Sequence, residues 1–249
     1  MSRFLAALRF LTIISIPWRH EVQKEQLGRS ASYFPVVGLI IGLILAGLNW
    51  LFRLVLPPGV ANALLLVLLV IISGALHLDG FADTCDGIAG HNAVEDRWRV
   101  MHDSRVGAFG IIGVVLLLLV KYVSLNSIPE ALMMTTLVLM PVVSRWAMVY
   151  TVFAYPYARP SGLGKTFKQE TSWQRFTLAT LVTVALAAIL AQLVGLVILV
   201  LIWVITVALA TYLKRKFAGL TGDNYGAINE VVEVSVLIFI NLLIQLGLA

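Results

Sequence analysis

The sequence predicts an all-α, polytopic membrane helical bundle of about seven transmembrane helices plus an N-terminal amphipathic helix. Three observations carry this. Hydrophobic residues make up 60% of the 249, 12% are charged and mean hydropathy is +0.94, about half the charged fraction of a soluble domain. The apolar residues gather into runs of membrane-crossing length. The basic residues fall on alternate connections, the pattern of a multi-pass protein. Residues 1–249 read as a single integral membrane domain, without linker, low-complexity tract or tandem repeat.

Residues 1–32 open with the apolar run Phe4–Ile16, too short to span and ended by Pro17. No small-residue cleavage site follows, which argues against a signal peptide. Arg3 and Arg9 beside the run, then Arg19, Lys24 and Arg29, suit a helix lying in the membrane surface. The first span is Phe34–Leu56, where Gly38 and Gly42 form a G-x-x-x-G step that permits close helix contact. Pro57-Pro58-Gly59 turns the chain, and Val60–Leu76 returns as the second span. A polar segment, 77–106, precedes the third span, Gly107–Leu125. Asn126–Glu130 turns into the fourth, Ala131–Phe153. After a polar segment 154–175, spans five (Phe176–Ala191) and six (Val194–Tyr212) are joined by residues 192–193. A third polar segment, 213–228, leads into the seventh span.

Of the 18 Lys and Arg residues, all but Arg53, Lys121 and Arg145 lie in the N-terminal region or in these three polar segments. The opposite connections have none. The positive-inside rule therefore places the N-terminus and the polar segments in the cytoplasm. The net charge of +5 reports this topology and phosphate-rich partners, not a nucleic-acid surface. The single cysteine, Cys85, excludes an internal disulfide and reads as a packing residue.

The chemistry gathers on the same side. His77–Gly87, HLDGFADTCDG, carries Asp79, Asp83 and Asp86 at offsets of four and seven, one stripe if the stretch is helical. Like charges so placed suit a divalent cation or a basic partner between them; the alternative is a solvated acidic loop. His77 beside the stripe has four open roles: orienting a carboxylate, binding metal, acting as a base, or serving the structure. His20, His91 and His102 are unassigned. The segment continues with Asp103 and Arg105 in MHDSRVGAFG.

Segment two holds YARPSGLGKTF, with Arg159 and Lys165 among Gly162 and Gly164, where glycines let a backbone approach phosphate. GLGK lacks the spacing and the preceding strand of a P-loop. Segment three holds TGDNYGAINEVVE, with Asp223, Glu230 and Glu233; the two glutamates also read as the polar start of span seven. Arg145, mid-span beside Ser144, needs a carboxylate or phosphate partner. Lys121, near the end of span three, can snorkel. Tyr155, Tyr157 and Trp173 read as interfacial anchors before stacking platforms.

Carboxylates, arginines and glycine turns on one membrane face point to phosphoryl transfer, with Mg²⁺ on the carboxylates and an alcohol displacing a nucleoside monophosphate. HLDGFADTCDG, MHDSRVGAFG, Ser144-Arg145, YARPSGLGKTF and TGDNYGAINEVVE, in this order, resemble the cobalamin synthase (adenosylcobinamide-GDP ribazoletransferase) family. The resemblance covers essentially the whole chain. One departure is His102, where the family is expected to carry Arg or Lys, which leaves one phosphate contact in doubt.

The resemblance implies an Mg²⁺-dependent enzyme of the bacterial inner membrane. It would join adenosylcobinamide-GDP to α-ribazole or its 5′-phosphate, giving adenosylcobalamin or its phosphate and GMP. It carries metal binding onto Asp79, Asp83 and Asp86, with Asp103 as a further ligand. Arg105, Arg145, Lys165 and the Gly164 backbone would contact phosphates, and Asp223 and Glu230 a ribose or a second metal. The base would be Asp79, Asp83 or His77. Homo-oligomers and docking of other cobamide-pathway enzymes remain open as partners.

Two rivals stand beside this reading. A CDP-alcohol-type lipid phosphotransferase shares the chemistry, but its DGxxAR signature fails where Asp79-Gly80-Phe81-Ala82 runs into Asp83. A cation transporter would need charges near the bilayer midplane, where the sequence offers Arg145.

Overall fold

The computed structural model describes residues 3–14, 23–89, 93–103 and 105–248. Pro17, Arg19, His20 and His91 lie outside the described residues. In chain order the α-helices are α1 Arg3–Leu11, α2 Lys24–Arg29, α3 Phe34–Arg53, α4 Pro58–Ile72, α5 Leu76–Ile88 and α6 Val94–Met101. They continue with α7 Ala108–Asn126, α8 Glu130–Ala154, α9 Leu163–Glu170, α10 Trp173–Phe217 and α11 Gly222–Gln245. A 3-10 turn, Ser30–Tyr33, joins α2 to α3. Among the described residues there is no β-strand, only a parallel bridge between Tyr157 and Leu220.

Five helical stretches are long and apolar enough to cross a membrane: Lys24–Arg53, α7, α8, α10 and α11; α4 and α5 make a sixth if counted as one bent span. The expected seven is not reached by this count. The two differ at α10, whose 45 residues would extend about 68 Å if straight. Both its ends meet the same end of α8. Trp146 Nε1 donates to Thr180 Oγ1 at 3.0 Å, and Tyr155 OH donates to the Val207 carbonyl at 3.2 Å. The chain reverses at Ala191 and Gln192, where Gln192 takes a φ of 49°. The segments expected as spans five and six are the two legs of this hairpin.

The G-x-x-x-G step works as close contact. A methyl group at Gly38 would collide with the Pro141 carbonyl of α8, and one at Gly42 would lie 2.6 Å from Val138 Cα. The amphipathic helix is shorter than expected: α1 ends at Leu11, and the Thr12 hydroxyl donates back to the Leu8 carbonyl at 2.7 Å. Its Ala6, Ala7, Leu8 and Leu11 are buried within the protein.

The second span also stops early. α4 ends at Ile72, and the Ala75 amide donates to the Val70 carbonyl at 2.9 Å, a Schellman-type closure with Gly74 and Ala75 at φ 60° and 55°. α5 leaves at 88° to α4. It runs across the N-terminal turns of α7 and α11 instead of continuing the line of α4. The expected acidic helix is therefore formed, but as a helix of its own.

Deeper in the bundle, four charges from three spans form a closed group. Lys121 of α7 donates to Glu230 and to Glu233 of α11, each at 2.6 Å. Arg145 of α8 pairs with Glu233 and donates to Ser144 Oγ at 3.0 Å. Asn229 Nδ2 also donates to Glu233, at 3.2 Å. Lys121 therefore does not snorkel, and the glutamates are not merely a polar helix start. Glu233, eleven residues beyond Gly222, sits about 17 Å along α11. Arg145 is thus joined by three further charges in this group. Their formal sum is zero, and the pairing offsets part of the cost of burying each of them.

Lys121→Met alone leaves two carboxylates against one guanidinium, and should cost about 3–5 kcal/mol. Adding Glu230→Gln restores neutrality and should recover much of that loss. Thermal unfolding in detergent measures both; equal midpoints for the single and double variants would show the charges to be uncoupled.

Candidate active site

The site is built where α5 crosses the start of α11. The crossing is tight because both partners are glycine. A Cβ at Gly80 would lie 2.8 Å from the Asp223 carbonyl oxygen, and one at Gly226 3.0 Å from the His77 carbonyl oxygen. A capping box opens α11: the Asn224 amide donates to Thr221 Oγ1 at 3.2 Å, and the Thr221 amide to Asn224 Oδ1 at 3.0 Å. Asn224 Nδ2 then donates to Thr84 Oγ1 of α5 at 3.1 Å, locking the two helices in register.

The third wall is the loop after α8. The Ala158 amide donates to the Leu220 carbonyl, and the Leu220 amide to the Pro156 carbonyl, both at 2.9 Å. Gly219, at φ 141°, allows this approach, since a Cβ there would meet Ala158 Cα at 2.8 Å. The pairing carries Arg159 to Asp223, with Nη2 3.2 Å from Oδ2. Neither Nε nor Nη2 of Arg159 makes a hydrogen bond within the protein, although both are buried. The guanidinium is paired by charge and retains donors for an anion.

These walls enclose a cavity of about 370 Å³. Asp79, His77, Asp223 and Gly164 of the predicted set line it, together with Arg159 and His102. Asp83 stands half-buried beside them. Burial, then the charges of Asp223, Asp79 and Asp86, push its carboxyl up to about 7. Gly164 has a packing role as well: a methyl group there would collide with the Tyr157 ring.

The remaining predicted residues are not at this cavity. Asp86 turns to the start of α7, where its carboxylate accepts from the Gly107 and Gly110 amides, each at 2.8 Å. Asp103 and Arg105 pair with each other at 2.7 Å on the surface, and the guanidinium's hydrogen bonds pull Asp103 down to about 2. With Asp86 they border a separate recess. Lys165 Nζ donates to the Pro160 carbonyl at 2.6 Å and borders another recess with Lys24. Arg145 and Glu230 belong to the intramembrane group and do not line the cavity. Among the described residues, no three His, Cys, Asp or Glu side chains converge as a metal cage.

Sequence reasoning placed Arg159 in the right segment but gave it no role, and left His102 unassigned. Glycine-flanked basic residues were the available signal for Arg159. Nothing in the local sequence announced the aromatic residues that line the cavity, Phe10, Phe34 and Phe167, because they come from α1, α3 and α9.

Residues 3–241 match the family model described as cobalamin-5-phosphate synthase. Curated proteins named adenosylcobinamide-GDP ribazoletransferase are similar over most of their length. The one from Geotalea daltonii is 40% identical, covering 93% of this chain and 93% of its own. Those from Roseiflexus sp. and Desulforamulus reducens are 38% and 37% identical, covering 92% and 96% of this chain and 85% and 96% of their own. No solved structure matches the chain. With the family model spanning nearly every helix that forms the cavity, the chain belongs to the cobalamin-5-phosphate synthase family.

Proposed function

We propose that this protein transfers the phosphocobinamide of adenosylcobinamide-GDP to α-ribazole or its 5′-phosphate, as the names of its relatives indicate for them. The observation that carries the assignment is the meeting of Asp79, Asp223 and Arg159 at this cavity, with Asp83 beside them, a carboxylate that burial and its acidic neighbours lift to about 7. A base poised near the working pH and a guanidinium with free donors are what this displacement needs. The acceptor hydroxyl oxygen bonds to the phosphorus next to cobinamide. The bond from that phosphorus to the GMP oxygen breaks, and the hydroxyl proton passes to Asp83. Arg159 holds the phosphate oxygens on which charge gathers.

Asp79 and Asp223, bordering the same cavity, would hold Mg²⁺ with the substrate's phosphates. This fits an ion that commonly takes only one or two protein carboxylates, so the lack of a three-carboxylate cage is no obstacle. The negative charge of Asp223, Asp79 and Asp86, which adds to burial in raising Asp83, also fits. Mg²⁺ would supply charge neutralisation of the diphosphate and of the leaving GMP. Asp86, already occupied by two amides, serves as a helix cap.

The basic connections support a cytoplasmic active site in a bacterial inner membrane. In a Cys85→Ala background, cysteines at Lys214 and Val55 should label from opposite sides of inverted vesicles, and labelling from one side would overturn the topology. Asp83→Asn should lower GMP release by about 10²–10⁴-fold with the thermal midpoint retained. Asp86→Ala should instead cost about 1–2 kcal/mol of stability. A reversed pattern would move the chemistry to Asp86. A carboxylate base works deprotonated, so the rate should rise with pH and then flatten below about 7, because Mg²⁺ on Asp79 and Asp223 would offset two of the charges that raise Asp83 while burial, the largest cause, remains. A rate that falls as pH rises from about 4 would remove Asp83 from that role.

A further inference from the structure

We propose that Arg3, Arg29 and Arg175, gathered where α1, α2 and α10 meet, form a binding site for the headgroup phosphate of an anionic phospholipid. The site is separate from the cavity and shares no residue with it.

Packing gathers these arginines. A Cβ at Gly28 would lie 2.7 Å from both Glu170 Cβ and the Thr166 carbonyl oxygen, so α2 lies directly on α9. That contact carries Arg29 to Glu170, with Nε donating to Oε2 at 2.7 Å. Glu170 ends α9, and Arg175 stands in the first turn of α10. Nη1 of Arg175 donates to the Glu170 carbonyl and lies 3.8 Å from Oε2 of the same residue. Arg3, at the start of α1, is the third cation, and the charges of Arg29 and Arg3 both act on Arg175.

Charge does not close here as it does in the intramembrane group. Three guanidiniums share one carboxylate, and Lys24 and Glu25 of α2 cancel each other, so an excess of positive charge remains. Like charges gathered this way call for an anion between them. The donors for one are at hand. Arg29 binds Glu170 through Nε and keeps its two Nη groups, and its side chain is 42% exposed. Guanidinium forks match phosphate oxygens two at a time.

Depth identifies the anion as lipid. Trp173, 64% exposed, packs its ring against Phe153 and Phe176, with centroids 5.7 and 5.9 Å away. An exposed tryptophan at the end of a span marks the headgroup level, and Arg175 lies on the same turn. The unspent donors therefore stand at the depth of lipid phosphates, where basic pockets between helices take anionic headgroups. A zwitterionic headgroup brings a cation with each phosphate and would leave the excess in place. A bound phosphate would tie α2 to α10 and steady α9 between them, the helix that supplies Gly164 and Phe167 to the cavity wall.

The test titrates phosphatidylglycerol into the full-length protein in a neutral detergent and follows the thermal midpoint. The midpoint should rise with phosphatidylglycerol and not with phosphatidylcholine. Arg29→Gln and Arg175→Gln should each raise the half-saturating phosphatidylglycerol concentration about fivefold, the loss of one basic residue at a lipid surface. Arg3→Gln, which breaks no ion pair among the described residues, should do the same, and it decides the matter if a variant of the Glu170 pairs fails to fold. Arg99→Gln, exposed on α6 and paired with Asp96, should leave the response unchanged. A response that persists in all three site variants overturns the site. An equal loss in Arg99→Gln overturns it by making the effect one of net charge. An equal rise with inorganic phosphate overturns the lipid as occupant in favour of a soluble anion.

Discussion

Everything at the membrane face depends on the crossing of α5 over the first turn of α11, and that crossing depends on two hydrogen atoms. Gly80 and Gly226 let the backbones meet at distances a single methyl group would prevent. The contact sets Asp79 and Asp83 beside Asp223, and it fixes the backbone of His77 against Gly226. Any wider spacing would separate the carboxylates of one segment from those of another and let water between them. Burial first, and then the nearness of Asp223 and Asp79, raise the proton affinity of Asp83.

Beneath the site, the four intramembrane charges have a different logic. Each of Lys121, Arg145, Glu230 and Glu233 would be costly alone in hydrocarbon, and together they form a neutral, hydrogen-bonded unit. The unit ties α7, α8 and α11 to one relative depth. Its separation from the cavity matters for function: a transporter would need such charges along a path, and none of the four lines the cavity. Here they specify how the spans pair, and the chemistry is left to the membrane face.

The cavity itself divides labour by polarity. Charged groups come from α5, the Arg159 loop and α11, and aromatic groups from α1, α3 and α9. The N-terminal helix is thus part of the site, with Phe10 in the cavity wall. The amphipathic pattern that reads as membrane binding also serves protein packing, since both environments reward the same apolar stripe.

Composition and charge order determined by themselves that the chain is a helical multi-pass membrane protein, because hydrocarbon thickness and backbone hydrogen bonding leave few ways to satisfy such a sequence. The helical stripe of Asp79 and Asp83 and the close contact at Gly38 and Gly42 were also legible, since both are set by spacing along one helix. What only the tertiary structure decided was partnership. Asp86 shares the stripe yet caps α7, Arg145 takes Glu233 instead of a phosphate, Lys121 turns inward, and Arg159 rises to the site through backbone pairing near Gly219. Charges, unlike apolar stripes, carry no periodicity that names their partner: an ionised side chain pairs with whatever opposite charge the packed helices bring within a few ångströms.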